Sequence, residues 1–275
     1  MNNLLLRPEF EKSLARLHTQ LPQSILLHGI SGVGLRTIAS SLAPKSHILI
    51  QPITSKGDID DTFGTISIEK IRHLQEQVKG KSRQTQVVII DDADRMSHGA
   101  QNAFLKLLEE PNTSTRFILT SHNREKLLPT VRSRVHTVFV PPITTAQSAA
   151  YLEQLRIQDA RTKQQLLFIA KGRPAELYRL SRSPKELSIL AESIQDARSF
   201  LGATMYEKLI ITKKYATNRQ TALRFTHALL QLLSFTIYSS PKLSAIQFAD
   251  KVIATSERLM QNANPKLQLL TLVVQ

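Results

Sequence analysis

The stretch from Val87 to Arg134 constrains the fold of this chain more than any other. It opens on a continuous apolar run, Val87 to Ile90, ended by Asp91 and Asp92. β-Branched residues bounded by acids read as a strand buried on both faces of a parallel sheet. Ser97 then stands where an N-cap is expected, and Ala100, Ala103, Phe104, Leu107 and Leu108 share one face of the helix it starts. Pro111 ends that helix, because its ring cannot continue the ladder. Phe117 to Leu119 form a second short buried strand with Thr120 and Ser121 at its carboxyl end, the edge where ligands sit in open α/β sheets. The stretch closes on Ser133-Arg134. Strand, acids, helix, strand, hydroxyls and arginine are the skeleton of a nucleotide-handling site.

The segment upstream strengthens that reading. Ile25 to Leu27 predict a strand, followed by a turn carrying Gly29, Gly32 and Gly34 and then by a helix. Such a turn aims backbone N–H groups at a phosphate held on a helix N-terminus. Gly29 and Gly34 keep the spacing of a P-loop, G-x-x-x-x-G-K-[ST], but Leu35 stands at the lysine position and Arg36 at the hydroxyl position. Leucine brings no charge to the β/γ-phosphates, and arginine offers no oxygen to Mg²⁺. Thr37 supplies a hydroxyl only if the loop shifts by one residue. The turn is kept and its chemistry is missing.

Charge and composition narrow the partners. A formal net charge of +14 over 275 residues favours a polyanion, nucleic acid first. The chain has no Trp and few Tyr, so phosphate contact fits better than base stacking. Free N–H groups at the helix start around Ser97 and His98 are the candidate DNA contacts. With no Cys there is neither a disulfide nor a thiolate zinc site, and the eight His are scattered and read as surface or packing residues. Leu4 to Leu6 are too short for a signal sequence and no apolar run approaches a membrane span, so a cytoplasmic protein without membrane contact is expected.

The remaining chain divides by pattern. Ser67 is placed to cap a helix with the stripe Ile68, Ile71, Leu74 and Val78, and Lys79 to Arg83 form a basic connector. Val138 to Val140 predict a last strand before Pro141-Pro142. Thr144 with Gln147 makes a capping box, and Gly172 a helix end. From about Lys185 the chain reads as helical to its end. The division expected is an α/β part over 1–141, three short helices over 142–184 and an all-helical part over 185–275.

Five segments together resemble the bacterial DNA polymerase III clamp-loader subunits, and among them the delta-prime type: ISIEKIR from Ile66, IIDDADRM from Ile89, QNAFLKLLEEP from Gln101, LPTVRSR from Leu128 and NANPKL from Asn262. The resemblance implies an AAA+ α/β module, a helical lid and a helical collar through which five subunits form an arc. It puts Gly29, Gly32, Gly34, Leu35, Arg36 and Thr37 in a degenerate Walker A loop, Asp91 and Asp92 in the Walker B pair, and Thr120 or Ser121 at sensor 1. Sensor 2 falls on Arg173 or on the Glu176 position. Ser133-Arg134 matches a Ser-Arg-Cys motif, with Val135 in place of the Cys. It further implies sibling subunits, a sliding clamp and primed DNA as partners, ATP and Mg²⁺ without hydrolysis if bound at all, and no zinc. Three functions compete: a non-hydrolysing loader subunit that donates Arg134 to a neighbour's ATP, an autonomous ATPase in which Arg36 replaces the lysine, and a DNA-binding module on a relict ATPase fold.

Overall fold

A computed structural model describes residues 4–54, 56–60, 63–79, 85–110 and 114–274. Pro111 and most of the basic connector before Gln86 lie outside the described residues. The chain divides into two compact units, Met1–Ser181 and Arg182–Gln275.

In the first unit the elements run α1 (Pro8–Thr19), β1 (Ser24–His28), α2 (Leu35–Leu42), β2 (Ile48–Ile50), α3 (Ile68–Val78), β3 (Gln86–Ile90), α4 (His98–Glu109), β4 (Thr115–Ser121), α5 (Pro129–Arg132) and β5 (His136–Phe139). Three further helices follow: α6 (Thr145–Gln154), α7 (Ala160–Ala170) and α8 (Pro174–Ser181). The five strands pair in parallel, in the order β2-β3-β4-β1-β5.

Alternation along β3 builds both cores. Val88 and Ile90 face α3 and α4, packing with Ile71, Leu74, Phe104 and Leu108, while Val87 and Ile89 face α1 and α2, packing with Phe10, Leu14, Leu35 and Ile38. The expected two-sided burial of this strand is what the sheet shows. Phe104 and Phe117 meet edge to face, centroids 5.3 Å apart. Side chains of this size contribute about 1.5–3 kcal/mol each when fully buried. The connection after β1 runs to β2 at one end of the sheet, and the connection after β4 runs to β5 at the other. β1 and β4 are neighbours, so a crevice opens between their carboxyl ends, at the switch point where ligands bind in such sheets.

Local chemistry sets the helix ends. The Ser97 hydroxyl accepts from the Ala100 N–H at 3.1 Å, and Thr144 and Gln147 form the expected capping box. Gly172, just past α7, takes the left-handed conformation that lets a helix end there. Ser67 occupies the N-cap position of α3 without a capping bond from its side chain, contrary to expectation. There the chain enters the helix from a bridge to β3's exit: the Ser97 N–H donates to the Ile66 carbonyl at 3.0 Å, and Ile66 N–H to the Arg95 carbonyl at 3.0 Å.

The second unit is α9 (Pro184–Gly202), α10 (Met205–Tyr215), α11 (Arg219–Ser239), α12 (Leu243–Met260) and α13 (Pro265–Leu270). Its core forms where Tyr215 of α10 stacks on Phe225 of α11 and Phe200 of α9 meets the same ring edge to face. Met205, Tyr206 and Ile210 on α10 remain exposed. Among the described residues no helix is long and apolar enough to cross a membrane.

Candidate functional site

The carboxyl ends of β1, β3 and β4 bring together most of the residues singled out from the sequence. β4 runs two residues past the predicted Leu119, so Thr120 and Ser121 are buried strand residues opposite Leu27 and His28 of β1. Thr120 donates its hydroxyl proton to Asp91 Oδ1 at 2.7 Å and accepts the Asp92 N–H at 2.9 Å. One hydroxyl thus fixes both acids at the end of the neighbouring strand. The Ser121 carbonyl accepts from the Gly29 N–H at 3.3 Å, which anchors the start of the glycine turn, and its Oγ accepts from Asn123 N–H.

The glycines are required by geometry. Gly32 and Gly34 have φ of +88° and +93°, where a side chain is strained, and a Cβ on Gly29 would lie 2.7 Å from the Val140 carbonyl oxygen. Gly34 is the N-cap of α2. Leu35, the first residue of that helix, is only 2% exposed and packs with Ile38, Ile89 and Ile118. The lysine position is therefore part of the core rather than an empty reach toward a phosphate. Arg36 points the other way, half exposed, with Nε 3.8 Å from Asp91 Oδ2. Thr37 is exposed on α2.

Helix α8 is in contact with the turn. The Gly32 carbonyl accepts the N–H of Ala175 at 2.9 Å and that of Glu176 at 3.3 Å, both in the first turn of α8. A Cβ on Gly32 would stand 2.8 Å from Glu176 Cβ and 3.2 Å from Arg173 Cβ. Of the two sensor 2 placements, Arg173 turns its guanidinium back onto the Ile169 carbonyl, and Glu176 is paired with Arg179 at 2.9 Å.

A histidine read from sequence as a surface or packing residue belongs to the centre of this site. His122, the residue after β4, sets Nδ1 3.0 Å from the Gly29 carbonyl and Nε2 3.4 Å from Asp92 Oδ1. A carbonyl only accepts, so Nδ1 carries a proton, and Nε2 either accepts from a protonated Asp92 or donates to its carboxylate. The Asp92 backbone is left-handed, with φ of 49°, and its carboxylate also lies 3.9 Å from Arg95 Nε. Burial, opposed first by His122, pushes the Asp92 carboxyl up to about 6. The sequence signal for His122 was its place directly after the Thr-Ser pair, not any spacing to another His.

Arg134 lies elsewhere. It follows α5, whose Val131 packs on the sheet face opposite α2. Its side chain is 38% exposed and rests on Glu109 Oε1 at 3.0 Å and the Thr130 carbonyl at 3.0 Å. Ser97 and His98 sit at the start of α4, His98 within 3.1 Å of the Asn102 amide.

A P-loop nucleotide with Mg²⁺ finds here neither the lysine nor the metal-binding hydroxyl: the lysine position is in the core and the hydroxyl position is a cation on Asp91.

A sequence model of the family described as DNA polymerase III, delta subunit, matches residues 36–144. The match begins past the three glycines. The Pseudomonas aeruginosa DNA polymerase III subunit delta' is 27% identical over 190 residues, 58% of this chain and 56% of that protein. Its Escherichia coli counterpart is 28% identical over 180 residues, 56% and 54% of the two chains. The chain thus spans little more than half the length of these relatives. Over 95% of this chain and 96% of the other, the fold matches that of a DNA polymerase III gamma subunit-related protein from Thermotoga maritima, with a TM-score of 0.52 and 21% identity. The resemblance read from the motifs is borne out: the chain is similar to the delta-prime subunits of DNA polymerase III, and its fold is a parallel α/β sheet flanked by helices with an all-helical part after it.

Proposed function

We propose that this chain is a clamp-loader subunit that hydrolyses no ATP itself and supplies Arg134 to the ATP site of a neighbouring sibling. Leu35 carries the reading. Buried under its own glycine turn, it leaves the site without the cation that a transferring phosphoryl group needs. An arginine finger acting in cis would serve a site that cannot fire. Arg134, exposed on the other side of the sheet, has a guanidinium that a neighbour's γ-phosphate can draw away from Glu109. The autonomous-ATPase reading is weaker, since Arg36 lies on Asp91 rather than over the turn. In this scheme the helices of 142–184 are the lid, those of 185–275 the collar that joins the siblings in a hetero-pentamer, and the assembly places a sliding clamp on primed DNA.

The test is steady-state ATP turnover of the reconstituted complex, with the other subunits' fingers already removed. Arg134→Ala should leave assembly intact and slow the adjacent site by about 10³ to 10⁵. Arg134→Lys should rescue poorly, because it keeps the charge and loses the planar fork. Unchanged turnover would reduce this subunit to a structural member.

A further inference from the structure

Asp91 lies at the end of a buried strand and is itself buried, with one oxygen bonded to Thr120. A carboxylate in such a place needs a compensating positive charge. In a working P-loop site that charge comes from a divalent cation, held by the hydroxyl that follows the lysine and by the acidic strand end. Here the hydroxyl position is Arg36, and its guanidinium approaches the second Asp91 oxygen at 3.8 Å. The neighbouring acid also faces an arginine, Asp92 Oδ2 lying 3.9 Å from Arg95 Nε.

We propose that Arg36 is a resident counter-ion, standing in for the divalent cation at Asp91, so that the acid is compensated without metal. This rests on the reading of the site as one that does not turn over ATP, and adds what replaced its chemistry. An arginine at the position of the metal-binding hydroxyl both removes a ligand and supplies the lost charge. One substitution therefore accounts for two features, a buried acid that persists and a metal site that does not.

The experiment uses the free full-length chain, so its outcome is independent of any sibling and of Arg134. Thermal unfolding is followed in EDTA and in millimolar MgCl₂ for the wild type, Arg36→Thr, Arg36→Lys and the double variant Arg36→Thr/Asp91→Asn. The wild type and Arg36→Lys should melt at the same temperature in both buffers. Arg36→Thr should melt roughly 2–4 °C lower in EDTA and recover in MgCl₂. The double variant should lose that response. As a second readout, Mn²⁺ titration followed by EPR should show one added site in Arg36→Thr that Asp91→Asn removes. Arg36 is half exposed in the first turn of α2, so its replacement does not disturb the core, and Arg36→Gln gives an alternative background if Arg36→Thr is poorly soluble. An Arg36→Thr protein no more responsive to Mg²⁺ and Mn²⁺ than the wild type would overturn the proposal. So would a wild type whose own Mg²⁺ response matches that of the variant.

Discussion

Asp92 combines a left-handed backbone, burial and a carboxyl held near 6, and its titration has a definite sign. A carboxyl whose folded pKa is raised holds its proton in the native state after the unfolded chain has lost it, so it contributes stability at low pH that is lost as pH rises from about 4 to about 6. Asp92→Asn should therefore stabilise the chain at pH 8 relative to wild type, with the advantage shrinking toward pH 4. Paired thermal melts across that range check it, and an advantage constant with pH would mean that Asp92 does not titrate there. The chemical deficit of the glycine turn is legible from Leu35 and Arg36 alone. Where those side chains go is not. That leucine enters the core, and that His122 faces Asp92, depend on strand register, which no local spacing encodes.

Elements rather than residues decide how α4 meets the segment leading to Arg134. Gln101, buried on α4, donates from Nε2 to the Met96 and Lys126 carbonyls, both at 3.2 Å, and accepts the Leu128 N–H at 2.7 Å. It ties the end of the acidic loop, the helix and the entry to α5 into one piece. Gln101→Leu keeps the volume and strands these groups, at a cost of about 1–3 kcal/mol. Urea denaturation measures it, and a loss under a few tenths would show that water takes over the bonds. The apolar stripe of α4 is readable from its period, yet Gln101 lies among the buried residues outside that stripe because polar partners, not apolar ones, await it. The strands are legible for the opposite reason: runs such as Val87 to Ile90 are buried on both sides whatever packs there. The 3₁₀ turn at Ala93–Arg95 that re-aims the chain into α4 left no such mark.

For the whole molecule the dominant quantity is charge. A surplus of +14 with few aromatics predicts DNA binding through phosphates, without sequence preference. Raising salt from about 50 to 200 mM should weaken binding by orders of magnitude if six or more phosphates are contacted, as fluorescence anisotropy on unrelated duplexes would show. A salt-insensitive, sequence-selective affinity would mean that the charge serves something else. The acceptance of two α8 amides by the Gly32 carbonyl has a further consequence at this scale. A closure made only of intrachain bonds has no ligand concentration in its equilibrium constant, since a small molecule shifts an equilibrium only by its differential affinity for the two states. On the proposed function, which gives the turn no nucleotide to turn over, the junction between turn and α8 is the same at every ATP concentration, and within a complex it would serve the siblings as a fixed point.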